Sequence, residues 1–354
     1  MPPGLRFGDR AAGRENNFNL IRMCAASGVL VSHAWPISRG PGAVEPLQAQ
    51  LHGLTLGTVC VYIFFAISGF FITKSFERSA SIARFLLARA LRLFPALVVV
   101  LGLTVLAGLW LTRAPAATYL AAVPEYLIRN LTLFRLQYAL PGVFEANPYG
   151  PAINGSLWTL NYEVLCYLGV FLVGIAGLLR APRGVAVVFV AVVALCLAVP
   201  LLPAHPRLVK LLDLGLPFAL GAAAYIWRDR LPLGPGPALG LAALAALAWW
   251  GPSALFRPVF VLALSYAVFL AGFARLPALL RYNRLGDYSY GMYIYAFPLQ
   301  QLAAHWGMLS PGQNIALALA LTLPCAVLSW HLIEKPALAW VPRSRRPAIQ
   351  EAAP

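Results

Sequence analysis

The first long apolar stretch of the chain contains two ionisable residues, Arg22 and His33, eleven positions apart. Eleven residues of α-helix advance about 16 Å and return a side chain to within roughly 20° of the same face. Both residues are therefore predicted on one polar stripe, with Arg22 near the inner end of the helix and His33 near the outer end. Because ionisable groups are costly within a membrane, this stripe is expected to face the interior of a helix bundle.

A carboxylate, Glu163, occurs at a similar depth in a later apolar stretch that begins NGSLWTLNYEVLCY. Counted from the outer surface, Glu163 lies about seven residues deep and His33 about five. A histidine and a carboxylate at matching depth suggest a general base and the group that orients it. The alternatives are a structural buried ion pair and a histidine that serves only in packing.

A cluster of cations lies between the second and third apolar stretches, which indicates contact with an anionic ligand. Arg89 and Arg92 are three positions apart on a predicted helix, so they share a face and can hold a phosphate with forked hydrogen bonds. An ordinary basic cytoplasmic loop is the alternative. Shortly before the cluster, the Ser68-Gly69 pair is typical of close helix packing. The cluster consists of Lys74, Arg78, Arg84, Arg89 and Arg92.

Other polar positions carry weaker signals. Asp287 is predicted to cap the start of the ninth apolar stretch. Glu45 and His52 lie in the loop between the first two stretches, where they could line an entrance or simply be solvated. The five cysteines are scattered through apolar sequence without metal-ligand spacing, so no metal is expected.

Composition determines the setting of these residues. The chain has 354 residues, of which 60% are hydrophobic and 11% charged, and the mean hydropathy is +0.73. So few charges cannot cover a water-soluble surface, which indicates an integral membrane protein and excludes a soluble enzyme, a secreted disulfide scaffold and a disordered protein. The net charge of +15 is explained by basic cytoplasmic loops, and no nucleic-acid partner is expected.

Apolar runs of about 20 residues identify the predicted membrane spans. The intervening segment 119–140 is apolar but charged, and it is predicted to be interfacial or re-entrant. The ten predicted spans are 18–38, 55–73, 93–112, 156–179, 184–202, 208–227, 232–250, 256–274, 288–306 and 314–334.

The distribution of basic residues predicts the orientation of these spans. Of the 27 lysines and arginines, nineteen lie on the side of the termini, seven on the other, and Arg22 lies within the first span. Basic residues collect in the cytoplasm, so both termini are predicted there. The expectation is an all-α integral membrane protein, a bundle of about ten helices forming a single domain over 1–354. Its leader 1–17 and tail 335–354 are expected in the cytoplasm.

Six sequence pieces together resemble the acyltransferase 3 family of bacterial membrane acyltransferases, which O-acylate surface and secreted carbohydrates. They follow the family's order from residue 17 to about 337. They are Arg22-x10-His33, VYIFFAISGFFI, RALRLFP with Arg89 and Arg92, SLWTLNYEVLCY with Glu163, LGDYSYGMYIYAFP and HLIEKP.

The resemblance implies an acyl-CoA donor, with acetyl-CoA expected, taken from the cytoplasm, and a surface or lipid-linked saccharide acceptor on the far side. It makes His33 the catalytic residue, Arg22 its partner, and Arg89 and Arg92 the donor-binding pair. Glu163 is added as the carboxylate that orients His33. Ser68, in mid-membrane on the second span, and Lys74, just past the inner end of that span, are added to the expected donor site.

Two departures from the family pattern affect this expectation. The opening ENNFNLIRMCAAS differs from the usual LDGLRAIA, and no C-terminal SGNH-type hydrolase-like domain is present. Transfer is therefore expected within the membrane domain, in the bacterial cytoplasmic membrane, or by hand-over to another protein. A carrier or flippase for a saccharide or anionic solute is the alternative, although the sequence shows no repeated halves.

Overall fold

The computed structural model describes residues 5–11, 13, 15–180, 182–199, 203–308 and 310–342. Within these ranges the fold is helical and contains no β-strand. A π-helical turn, Trp330–Glu334, joins the last two α-helices. The α-helices are α1 (Phe7–Ala11), α2 (Phe18–Arg39), α3 (Pro46–Gln50), α4 (Leu56–Glu77), α5 (Ile82–Leu111), α6 (Ala116–Thr132), α7 (Trp158–Ile175), α8 (Pro182–Ala198), α9 (Pro206–Ile226), α10 (Pro235–Trp249), α11 (Ser253–Phe273), α12 (Pro277–Leu280), α13 (Ser289–His305), α14 (Pro311–Ser329) and α15 (Lys335–Ala339).

Seven helical segments of the described chain are long and apolar enough to cross a membrane, as a multi-pass membrane protein requires. They are α2, α4, α5, α9, α11, α7 with its preceding turn, and α14 continued through α15. The other three predicted spans coincide with α8, α10 and α13, which have 17, 15 and 17 residues. The all-helical membrane architecture is thus confirmed, whereas the count of ten spans and the cytoplasmic termini stay predictions.

Side-chain caps determine where the two central helices begin. Thr55 accepts a hydrogen bond from the Thr58 amide at 3.0 Å and starts α4. Ser81 accepts one from the Arg84 amide at 3.2 Å and starts α5. Because of this cap, α5 begins eleven residues before the predicted start of the third span at 93. The basic cluster is therefore mostly helical, and only residues 78–81 connect α4 to α5.

The helix α4 is the most buried of the seven spans and packs against α2, α5, α7, α9 and α11. Its approach to α9 depends on two glycines. A Cβ atom at Gly69 would lie 1.9 Å from the backbone oxygen of Phe218, and one at Gly221 would lie 2.0 Å from that of Ala66. No side chain fits there, so the predicted close packing at Gly69 is confirmed.

The segment predicted at 119–140 is helical only as far as Thr132, where α6 ends. The Tyr119 hydroxyl donates to the backbone oxygen of Val105 at 2.7 Å and holds α6 against α5. Its membrane depth stays a prediction. Of the predicted leader and tail, residues 1–4, 12, 14 and 343–354 lie outside the described residues.

Candidate active site

A cavity of about 100 Å³ lies between α2, α4, α5, α7 and α13. It contains five of the seven residues that the sequence placed in the site, drawn from four separate helices. We call it the arginine cavity because three guanidinium groups line it. The five predicted residues in its wall are Arg22, Ser68, Arg89, Arg92 and Glu163.

The two arginines of α5 have different partners. Arg92 donates to Asp287 at 2.6 Å and to Glu334 at 3.4 Å. Arg89 forms no ion pair with any described residue, and its buried Nε atom has no hydrogen-bond partner there. Arg92 is thus paired with two carboxylates, whereas Arg89 forms no ion pair among the described residues and interacts with the Tyr167 hydroxyl and, at longer range, with the Glu163 carboxylate in the cavity wall.

Asp287 neutralises a second arginine, since Arg22 lies 3.9 Å from the oxygen that binds Arg92. Burial alone would raise the pKa of Asp287, but Arg92, Arg22 and the hydrogen bonds from Ser289 outweigh it and lower that pKa. Tyr288 occupies the cap position of α13, but the Asp287 carboxylate accepts a hydrogen bond of 3.4 Å from the amide of Ser289, the first residue of that helix, as a capping side chain does. The same carboxylate also holds two arginines.

Asp287 and Glu334 are site residues that the sequence analysis missed. Both lie in pieces that carried the family resemblance, LGDYSYGMYIYAFP and HLIEKP. The family resemblance drew attention to these two pieces but did not indicate that their carboxylates pair with Arg92. Arg92 is 195 residues from Asp287 and 242 from Glu334 in the chain, so local sequence patterns carry no sign of the contacts.

Glu163 lies in the arginine cavity rather than beside His33. It accepts a short hydrogen bond from Tyr167, one turn further along α7, and a longer one of 3.5 Å from Ser68. No hydrogen bond joins Glu163 to His33, so the predicted pairing of these two residues is corrected. Ser68 lies ten residues along α4 from Thr58, which borders His33, and ten helical residues span about 15 Å.

His33 lines a second cavity of about 100 Å³, which we call the histidine cavity. Its ring meets that of Phe297 edge-on at 5.3 Å, and its buried Nδ1 atom has no hydrogen-bond partner among the described residues. The imidazole is thus held by packing rather than by a carboxylate. Polar neighbours in this cavity are Ser32, Thr55, Thr58, Trp158, Lys210, Asp213 and Tyr293.

Two carboxylates at the histidine cavity are already engaged by the protein. Glu45 accepts short hydrogen bonds from the Ser32 hydroxyl and the Leu56 amide, and it is only 4% exposed. Glu45 therefore links α2 to the start of α4. It was expected to line an entrance or to be solvated, and the structure shows it buried instead. Asp213 accepts from Tyr62 at 2.6 Å and Arg257 at 3.4 Å.

Lys74 is the predicted donor-site residue that the structure places elsewhere. Its amino group donates to the backbone oxygen of Ala11 at 2.6 Å and lies 5.8 Å from the Phe71 ring centre. It is absent from the wall of the arginine cavity. This contact fixes α1 against the end of α4.

The two cavities meet at a shared wall. Val61 and Tyr293 line both of them. Arg22 borders the arginine cavity and His33 the histidine cavity, so α2 passes from one to the other over about 16 Å. A cationic site and a histidine therefore approach the same point from opposite ends of the helices.

The apolar helices, with paired charges buried around two adjoining internal cavities, define a multi-pass membrane protein with a polar site inside its bundle. The model of the acyltransferase domain matches residues 15–334. The chain belongs to the acyltransferase 3 family, which makes it a membrane acyltransferase.

Two relatives match the chain along most of its length. One is an "O-acetyl transferase" of Shigella phage Sf6, 30% identical over 338 residues, covering 91% of this chain and 96% of the relative. The other is "Nodulation protein 10" of Rhizobium leguminosarum bv. viciae, 31% identical over 369 residues, covering 93% and 95%. No solved structure matches the chain.

Proposed function

We propose that this protein transfers an acetyl group from cytoplasmic acetyl-CoA to a hydroxyl of a cell-surface or lipid-linked saccharide, in the bacterial cytoplasmic membrane. The observation that carries the proposal is the meeting of the arginine cavity and the histidine cavity at Val61 and Tyr293. A donor held by cations on one side and an acceptor beside a histidine on the other would come together at this wall.

The donor site is supported by the charges of the arginine cavity. Acyl-CoA carries several phosphate charges, and arginine binds phosphate in a forked geometry. Because Asp287 and Glu334 already neutralise Arg92, Arg89 is the main candidate for phosphate contact. From there the extended pantetheine arm would run along α2, over the roughly 16 Å between Arg22 and His33.

The chemistry follows from the position of His33. Its imidazole takes the proton from the saccharide hydroxyl, whose oxygen attacks the thioester carbonyl carbon. The carbon–sulfur bond then breaks, and the departing thiolate recovers the proton from His33. A route through an acyl-histidine is the variant, in which the imidazole itself attacks the carbonyl. Glu163, in the arginine cavity, would act on the donor side of this reaction rather than on His33.

The choice of acetyl is supported by the relative named an O-acetyl transferase. The alignment covers 91% of this chain and 96% of the relative, so a shared reaction type is the simplest inference from that name. The saccharide acceptor rests on the family resemblance.

A binding experiment tests the donor. Acetyl-CoA is titrated by calorimetry into the purified wild-type protein and into Arg89→Ala. We expect binding to the wild type and an affinity about tenfold or more lower in the variant, because a charged hydrogen bond is lost. Arg89→Ala is cleaner than the double variant with Arg92→Ala, which would also leave Asp287 and Glu334 without their partner.

Arg84→Ala is the matched control, since Arg84 lies on the same helix outside the arginine cavity. Its affinity should equal that of the wild type. A folded wild-type protein that does not bind acetyl-CoA would overturn the proposal and favour the carrier or another activated donor. An equal loss in both variants would show that the phosphates do not contact Arg89.

A transfer experiment tests His33. Membrane vesicles of the source bacterium receive radiolabelled acetyl-CoA, and label in the saccharide fraction is counted for the wild type, His33→Ala and His33→Gln. Both variants should bind the donor normally and lose transfer, because neither retains a base. Transfer retained in folded His33→Ala protein would remove His33 from the mechanism.

A further inference from the structure

Tyr293 occupies the wall between the arginine cavity and the histidine cavity. The two cavities share only Val61 and Tyr293 among their lining residues. Val61 is apolar, so the hydroxyl of Tyr293 is the polar side-chain group common to both. A thioester that enters from the arginine cavity and a hydroxyl beside His33 would meet at this ring.

The hydrogen bonds around Tyr293 indicate the direction of its proton. Its hydroxyl oxygen lies 2.6 Å from the hydroxyl oxygen of Thr159, and either group could donate. Thr159 directs its own hydroxyl toward the backbone oxygen of Ser156, at 3.3 Å. Threonine has a single hydroxyl hydrogen, so when Thr159 donates to Ser156, Tyr293 is the donor in the bond between the two hydroxyls. In that arrangement the Tyr293 proton is available to a stronger acceptor that displaces Thr159.

Neighbouring tyrosines are committed elsewhere. Tyr167 donates to Glu163, and Tyr290 donates to the backbone oxygen of Leu93 at 2.9 Å. Both line the arginine cavity and are absent from the histidine cavity. The Tyr293 ring is held in place by an edge-on contact with Phe64 at 5.7 Å. Of these three tyrosines, only Tyr293 combines a position at the junction with a hydroxyl that can change partner.

We propose that Tyr293 is a catalytic residue whose hydroxyl donates a hydrogen bond to the thioester carbonyl oxygen during acyl transfer. This inference rests on the proposed function. When the saccharide oxygen attacks the carbonyl carbon, the carbon–oxygen double bond becomes a single bond and the oxygen gains negative charge. When the carbon–sulfur bond breaks, the double bond re-forms and the charge leaves with the thiolate. A donor placed before the reaction stabilises that charge without reorganisation.

The test replaces Tyr293 by phenylalanine, which removes the hydroxyl and keeps the ring. Transfer of radiolabelled acetyl groups into the saccharide fraction is measured in vesicles over a range of acetyl-CoA concentrations. Removal of one oxyanion donor costs about 100-fold or more in kcat. We expect such a fall in kcat in Tyr293→Phe, with the calorimetric affinity for acetyl-CoA unchanged. A fall of less than threefold would overturn the proposal.

Tyr295→Phe is the matched control. Tyr295 is a buried residue of the same helix, and it lines neither cavity. The same chemical change there should leave kcat within about twofold, since the Tyr295 hydroxyl faces Ser329 rather than the junction of the two cavities. An equal fall in both variants, with normal melting temperatures, would show a general effect on α13 and overturn the proposal.

Thr159→Val separates catalysis from tethering. If the Tyr293–Thr159 bond only holds α13 to α7, deleting either hydroxyl removes the same bond and both variants lose the same activity. If Tyr293 acts on the carbonyl, Tyr293→Phe should lose at least ten times more than Thr159→Val. Equal losses would overturn the proposal. Failure of the proposed function itself would differ, because the wild type would then neither bind acetyl-CoA nor transfer label.

Discussion

Arg89 and Arg92 carry the same side chain three positions apart on one helix, yet their surroundings give them different tasks. Arg92 is bound by two carboxylates that lie behind the cavity wall. Arg89 has no such partner among the described residues. The sequence predicted the pair as phosphate-binding, and the structure shows that Arg92 is held by two carboxylates whereas Arg89 forms no ion pair within the described residues.

Asp287 is the residue on which this division depends, so its charge should matter for stability. Asp287→Asn keeps the size of the side chain but leaves Arg92 and Arg22 without their shared counter-charge. Removing one partner of a buried ion pair costs about 3 to 5 kcal/mol. We expect a clear fall in the thermal unfolding midpoint of the purified protein in detergent.

Asp229→Asn is the control for that measurement. Asp229 is 75% exposed and faces Arg228 at 3.9 Å, and such surface pairs contribute less than about 1 kcal/mol. Its unfolding midpoint should match that of the wild type. Equal midpoints in all three proteins would show that Asp287 does not stabilise the arginine cluster.

At the scale of the elements, the close contact of α4 with α9 supports both cavities, because α4 contributes to each wall. Gly69→Ala would place a methyl group 1.9 Å from the backbone of Phe218, where the neighbour is not a flexible side chain. Overpacking of this kind costs about 1 to 3 kcal/mol, and here the two helices must move apart. We expect a lower unfolding midpoint in the absence of ligand and a smaller rise of that midpoint when acetyl-CoA is added.

Gly215→Ala, on the facing helix α9, is expected to leave the unfolding midpoint unchanged or to raise it. No atom lies within 4 Å of a Cβ added at Gly215, and alanine stabilises a helix interior by roughly 0.5 to 1 kcal/mol relative to glycine. Its midpoint should stay equal or rise. A lower midpoint in Gly215→Ala than in Gly69→Ala would contradict the packing argument.

The sequence predicted most of the elements and part of the site, for physical reasons that can be stated. Apolar runs gave all ten helical segments, because burial in lipid demands them. They missed the early start of α5: Arg89 and Arg92 were placed on a predicted helix, but the start at Ile82 depends on the cap at Ser81.

Side-chain partners were less predictable than helices. The depth of Glu163 was counted from an uncertain loop end, which placed it beside His33 rather than beside Ser68. The contact of Asp287 with Arg92 joins helices that are far apart in the chain, so periodicity carries no signal for it. Tyr293 was hidden in an aromatic run whose default explanation is an interfacial belt.

At the scale of the whole molecule, the number of spans and the side of the termini are linked. Ten spans place both termini on one side, whereas the seven long helices alone would place them on opposite sides. The helices α8, α10 and α13 measure roughly 22 to 26 Å, slightly less than the hydrocarbon core of about 30 Å. Local thinning of the bilayer can accommodate such helices.

Reporter fusions test the ten-span arrangement. A fluorescent protein that folds only in the cytoplasm should fluoresce when it is fused to the C-terminus of the full chain, and equally at the N-terminus. An alkaline phosphatase, active only outside, should be active when inserted in the 133–154 loop. Fluorescence at one terminus alone would favour an odd number of spans and reverse the predicted location of the terminus that does not fluoresce.

The shared wall of the two cavities also bears on the voltage and the proton gradient across the membrane. With the predicted topology, the cavities approach each other from the two faces of a membrane that stores a voltage and a proton gradient. Val61 and Tyr293 would then block the passage of ions between the two cavities, in addition to forming the wall where donor and acceptor meet. In the proposed reaction, the acetyl thioester would have to fill the opening at this wall as it enters, because an open channel would dissipate the gradient at every turnover.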